Sequence, residues 1–316
     1  MESGNLRRGS VLLTLIMGLE LLPCALAQGG QPAPPILDPG ALKQVSAHVW
    51  VIEGHGRPVV PNVGIIVGSR ATMVVDTGLG PRNGQIVMDQ VKKLRKADDL
   101  YLTTTHYHPE HAAGEPAFPP NTKIIRPIVQ QEELERMGPE FMARFAKAPM
   151  NKGLLDNVTF RHPDILFDHE TRIDLGGVTA RLLWYGAAHT QGDELIMVDE
   201  DGVLLPGDIV EDRMFPGMPD ADSSGAGWIA VLDKVEALHP GFIVPDHGEL
   251  GDASLIAGER SILKALQSRS QELKAKGTPL EEAQKTLDSE FRAKYSGWAG
   301  ANWIVPAVTR FYAEAQ

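Results

Sequence analysis

The chain has 316 residues, 43% hydrophobic and 22% charged, the balance of an ordinary globular protein with ample material for a core. Its net charge of −11, which no Lys/Arg block in the mature part offsets, argues against nucleic acid or an anionic membrane surface as partner. The single cysteine, Cys24, leaves no internal disulfide framework.

Residues 1–27 read as a secretory signal peptide. Arg7 and Arg8 form a basic start, Val11 to Leu22 is mostly apolar, and Ala25-Leu26-Ala27 is a small-x-small cleavage site. The apolar run is short for a membrane anchor and is interrupted by Thr14, Gly18 and Glu20. Cleavage would remove Cys24 and give an exported protein, periplasmic or secreted, with no stable membrane association. Residues 28–40 follow as a Pro/Gly-rich leader without a fold of its own.

From residue 41 to 316 we expect one domain. His48 to Glu53 alternates, Gly54 to Pro61 is a turn, and Val63 to Val67 and Ala71 to Asp76 read as strands joined by Gly68-Ser69-Arg70. Gln85 to Lys96 has helical spacing and a basic end, and Leu100 to Thr105 is β-prone. Val129 to Lys147 is helical with a break at Gly138-Pro139, Gly227 to Leu238 is a third helix, and the chain is mostly helical from about Asp252. The class is α/β.

Chemistry concentrates at the ends of the apolar runs. Leu100 to Thr105 closes in His106-Tyr107-His108-Pro109-Glu110-His111, three imidazoles and a carboxylate in six residues. Such a strand end suits zinc or another divalent first-row ion. Further candidate ligands arrive one per run: His189 after Val178 to Tyr185, Asp208 after Gly202 to Gly207, and His247 after Phe242 to Asp246. Gly-containing turns at successive strand ends are how an α/β sheet builds a site at one edge.

Taken together, His106, His108, Glu110, His111, His189, Asp208 and His247 resemble the ligand series of the metallo-β-lactamase-fold hydrolases. Val74-Val75-Asp76-Thr77-Gly78 is similar to that superfamily's early Asp-Thr-Gly turn, and the resemblance runs from about Val45 to Leu266. It implies a four-layer αββα sandwich with metals at the sheet edge between two similar halves. One departure stands out: Glu110 occupies the place of an Asp. Its extra methylene leaves the occupancy and affinity of a second metal open.

The resemblance implies a first zinc on His106, His108 and His189, a second on Glu110, His111 and His247, and Asp208 bridging them. Three neutral imidazoles leave an open position, where bound water can reach a pKa of about 7 and supply hydroxide. Attack on an activated carbonyl of a small molecule follows (β-lactam, lactone or ester), with Glu110 and Asp208 as the carboxylates of the catalytic centre. Asp76 would orient a liganding histidine. Three alternatives stay open: a thioester hydrolase of glyoxalase II type, a mononuclear iron persulfide dioxygenase, and a non-catalytic metabolite-binding protein. Oligomeric state is not read from the sequence.

Substrate contacts are sought in two loops. His55 lies in the Gly54-His55-Gly56-Arg57 turn, where relatives carry a flap. Glu211 to Gly225 contains Arg213, Met214 and Phe215 and forms a candidate substrate wall. Glu211 stands where penicillin-hydrolysing relatives carry a lysine, and would repel a carboxylate. Arg213 or Arg126 could take that lysine's place. His48, His162, His169 and His239 read as structural or surface residues.

Overall fold

The computed structural model describes residue 1, residues 33–219 and residues 221–315. The expected signal segment lies outside them apart from Met1, as do residues 28–32 of the leader. Residues 33–38 have no regular structure, yet they do not form the loose leader expected. Asn83 ties them down, its carbonyl oxygen accepting from the Leu37 N–H (2.7 Å) and its amide donating to the Pro35 carbonyl (2.9 Å). Leu37 is buried as a result.

Seven strands form the first sheet, in chain order: β1 (Leu42–Gln44), β2 (Val49–Ile52), β3 (Val63–Val67), β4 (Ala71–Val75), β5 (Asp99–Thr103), β6 (Lys123–Pro127) and β7 (Ile165–Phe167). Pairing is antiparallel through β4 and parallel from β4 to β7. The second sheet runs β12 (Phe242–Ile243), β11 (Val203–Leu205), β10 (Glu194–Val198), β9 (Thr179–Trp184), β8 (Glu170–Asp174). Only its β11–β12 pair is parallel.

Side-chain alternation builds the layers. Ile66, Met73 and Val75 of the first sheet meet Leu182, Ile196, Val198 and Leu205 of the second in the central core. On the opposite face, Ile65 and Val74 pack on Val87, Met88 and Val91 of α1 (Pro81–Leu94). The outer face of the second sheet, with Leu183, Leu195 and Leu204, is covered by α4 (Gly225–Glu236), α5 (Ser254–Ala275), α6 (Leu280–Lys294) and α7 (Ile304–Glu314). This is the αββα sandwich. Among the described residues, no helix is long and apolar enough to cross a membrane.

A short helix, α2 (Pro109–Ala112), and the long α3 (Ile128–Ala146) lie between β5 and β7. The break expected at Gly138-Pro139 is absent, and α3 runs through Pro139. Tertiary contacts offset the lost backbone hydrogen bond. Before the proline, Gln130 donates to the Thr104, Thr105 and Gly192 carbonyls, while beyond it Phe141 is buried against Tyr107 and His108.

Candidate metal centre and substrate pocket

Each candidate ligand follows a strand: His106 and His108 follow β5, with Glu110 and His111 on α2. His189 follows β9, Asp208 follows β11 in a single turn of 3₁₀ helix, and His247 follows β12. The two sheets are joined here by Thr105. Its N–H donates to Asp76 Oδ1 (2.7 Å) and its hydroxyl bonds to Asp76 Oδ2 (3.0 Å) and Asp246 Oδ2 (2.8 Å). Asp76 has a left-handed backbone, φ 66°, a conformation Asp tolerates better than most residues.

The donor atoms converge as two sets. His108 Nδ1 lies 3.0 Å from His106 Nε2 and 3.1 Å from His189 Nε2. Ligands on a tetrahedral zinc at its usual bond lengths are roughly 3.3 Å apart, so this triad is already close to ligating geometry. The second set is Glu110, His111 and His247. Asp208 stands between them: Oδ2 faces His106 Nε2 (3.8 Å) and His189 Nε2 (3.5 Å), while Oδ1 faces His111 Nε2 and His247 Nε2, both at 3.8 Å.

Buried polar atoms without partners test whether this chain fits a metal. Glu110 Oε2, His111 Nε2 and Asp208 Oδ1 are all buried with no hydrogen bond. Groups like these cost free energy unless something pairs with them, and all three belong to or face the second set. The far nitrogens of His189 and His111 are oriented accordingly, whereas His108 Nε2 is buried without a partner. His189 Nδ1 donates to the Gly217 carbonyl (2.7 Å), which leaves Nε2 as an acceptor towards the centre. His111 Nδ1 lies 3.2 Å from Asp76 Oδ2 and 3.1 Å from Asp246 Oδ2. The Asp76 role expected from the resemblance thus has its geometry, and Asp246, not anticipated, shares it.

Electrostatics agree with this division. Burial holds the His106 and His108 pKa values well below the ordinary range, with neighbouring histidines adding to the effect, so both are neutral donors. Burial raises Glu110 to about 7, with His111 opposing it. Burial works against charge on His111 too, but Asp208, Asp246 and Asp76 outweigh it and raise its pKa. Asp208 is held below the usual carboxylate range: His247, His111 and His189 more than offset its burial.

A cavity of about 270 Å³ opens over both sets and is lined by His108, Glu110, His189, Asp208 and His247. The flap loop contributes Gly56, Pro58 and Val59, but His55 itself is exposed and does not line the cavity. With a left-handed φ of 54° and an exposed side chain, it fits the solvated turn that its Gly-flanked position also allowed, rather than the substrate contact. From the expected wall, Met214 and Phe215 do line it. Arg213 does not; it is exposed, pairs with Asp212 at 3.4 Å and borders an adjoining crevice. Arg126 is buried against Glu115 and is equally unavailable. The expected repulsion by Glu211 also loses its basis. Burial, with Asp208 and Glu259 adding, holds its carboxyl well above the carboxylate range.

Sequence reasoning missed one side of the cavity altogether. Phe141, Arg144 and Phe145 come from α3, and Asn302 and Trp303 from the turn before α7. No motif marks them. The only available signal was Phe141 and Phe145 recurring at four-residue spacing in an amphipathic helix, which reads equally as core.

Two sheets that deliver two sets of histidine and carboxylate donors around one bridging aspartate, beneath an open cavity, define a metallohydrolase-type centre. Residues 56–247, more than half of the chain, match the family model of the metallo-beta-lactamase superfamily, and the chain belongs to that superfamily. Among solved structures, it is similar to a metallo-beta-lactamase from Pontibacter korlensis: TM-score 0.57, 19% identity, covering 71% of this chain and 98% of that one. The stereoselective inverting sec-alkylsulfatase Pisa1 from Pseudomonas sp. aligns with TM-score 0.67 and 16% identity, covering 87% of this chain but 50% of its own. The DIM-1 metallo-beta-lactamase aligns with TM-score 0.57 and 14% identity, covering 73% of this chain and 98% of that one. At these identities the likeness is one of fold.

Proposed function

We propose that the protein is an exported zinc-dependent hydrolase that cleaves an activated carbonyl in a small molecule: a β-lactam, lactone or ester. The observation that carries this reading is the pair of donor sets facing opposite oxygens of Asp208, with unpartnered buried atoms at the second. His106, His108 and His189 would hold one zinc, and Glu110, His111 and His247 the other. Zinc supplies Lewis acidity, lowering the pKa of the water it binds and stabilising developing oxygen charge.

The protein's own residues do the rest. Asp76 and Asp246 hold the His111 ring, the Gly217 carbonyl holds His189, and Thr105 ties these carboxylates to the strand that carries His106. Phe141, Phe145, Met214, Phe215 and Trp303 give the cavity an apolar wall that excludes water from one side of the substrate.

Metal analysis of protein purified without added metal, combined with assays of a chromogenic β-lactam, a lactone, a thioester and an alkyl sulfate, tests the reading. About two zinc ions per chain with carbonyl turnover supports it. A single iron with no hydrolysis would replace it with the dioxygenase, and a metal-free, inactive protein would leave a binding role. His106→Ala should abolish turnover. For export, sequencing the secreted or periplasmic form should find Gln28 at its start.

A further inference from the structure

Among the described residues, Arg144, in the last turn of α3, is the one Arg or Lys that lines the cavity. Its guanidinium lies 3.8 Å from the centre of the Phe141 ring. Phe141 is buried and also stacks on His108, with centroids 4.6 Å apart and planes at 13°. The three groups form a chain of contacts from a candidate ligand to a cation. Arg144 itself is exposed, and among the described residues its side chain makes no hydrogen bond or ion pair. A guanidinium stacked on a fixed aromatic ring is held in place with its N–H edge free, ready to accept a carboxylate in a forked geometry.

We infer that Arg144 selects the substrate: it binds an anionic group, a carboxylate or its like, at the end of the substrate remote from the reacting carbonyl. The inference rests on the hydrolase reading and narrows its substrate to anionic molecules. The cavity supports this division of labour, because the same walls carry the candidate ligands, the apolar Phe145 and Trp303, and the positive Arg144. The other two arginines weighed from the sequence are occupied elsewhere, Arg126 by Glu115 and Arg213 by Asp212. Arg144 acts on binding and position, so its loss should appear in KM rather than kcat.

The test compares two probes on the zinc-loaded protein by calorimetry: hexanoate, with one carboxylate for the metals, and adipate, with a second for Arg144. The native protein should bind adipate about tenfold more tightly. Arg144→Ala should remove the preference with zinc content and melting temperature unchanged, and Arg144→Lys should keep part of it. Equal binding of the two acids by the native protein, or a preference that survives in Arg144→Ala, overturns the inference. Binding does not depend on turnover, so failure of every ester assay would count against the hydrolase reading alone. If esters are cleaved, Arg144→Ala should raise KM about tenfold for the mono-p-nitrophenyl ester of adipate and leave p-nitrophenyl hexanoate unchanged.

Discussion

Glu110 is the residue on which the second set of donors turns. It sits in the first turn of α2, directly after Pro109, and its Oε2 is buried with no partner. Tyr107, three residues earlier, is buried and packs on Phe141, which holds the turn in place. Glu110→Asp should therefore leave the carboxylate short of the ion and weaken the second zinc by about tenfold, because metal sites tolerate only a few tenths of an ångström. Titrating zinc into both metal-free proteins decides it: tighter second-site binding by the Asp variant refutes that expectation. The same residue carries a pH signature. Its carboxyl is raised from 4.5 to about 7, so below about pH 4.5 it is protonated whether folded or unfolded and contributes nothing. As pH rises from 4.5 to about 7, ionisation favours the unfolded chain, and above that the cost is constant, on the order of 3 kcal/mol. Chelator-stripped Glu110→Gln should then be more stable than the native protein at pH 8 and nearly equal to it at pH 4.5. A native protein that melts higher at pH 8 would contradict the assignment.

Among the elements, those that carry the ligands were legible, and of the cavity walls the side built by α3 and the turn before α7 was not. A strand ending in His-x-His-x-Glu-His, and the turns at His189, Asp208 and His247, announce themselves because metal binding needs donor types that are rare together. β6, β7 and β8 lack strong periodicity and were not read, and Pro139 looked like a helix end because local propensity cannot see Gln130 and Phe141 pinning α3 from both sides. The segment Glu211 to Gly225 was read as a substrate wall, yet it is as much scaffold. Phe215 and Met218 are buried in the core under α4 to α7, and Phe215 N–H donates to the Ala299 carbonyl at 3.1 Å. Gly217 supplies the carbonyl for His189, and a Cβ there would stand 3.2 Å from the His189 ring, so a larger residue would push that ring by a few tenths of an ångström. Deleting 214–218 should accordingly strip zinc from the first set and lower the melting temperature. A deletion variant that keeps both zinc ions and changes only its substrate range would restore the simpler wall.

On the scale of the whole molecule, the candidate centre is where the two sheets are fastened together. Composition and charge showed that a core was affordable, and the scattering of ligands from His106 to His247 required distant segments to meet. The structure shows how: the first sheet brings His106, His108, Glu110 and His111, and the second brings His189, Asp208 and His247. An ion held by donors from both sheets binds only the folded arrangement, so its binding free energy adds to stability. Without metal, the centre leaves several carboxylates and imidazoles buried together. Asp246, raised to about 8 by burial and by Asp76, is one of them. With free zinc at about a thousandfold above its dissociation constant, the gain is about 4 kcal/mol. For a domain of this size that corresponds to roughly 8–16 °C in melting temperature. Stripping the protein with a chelator should lower the melting temperature by that order while keeping one cooperative transition, because the central core still couples the sheets. His106→Ala, which removes a donor of the first set, should show a much smaller shift on chelation. An equal shift in the two proteins would mean that the stabilising ion sits elsewhere.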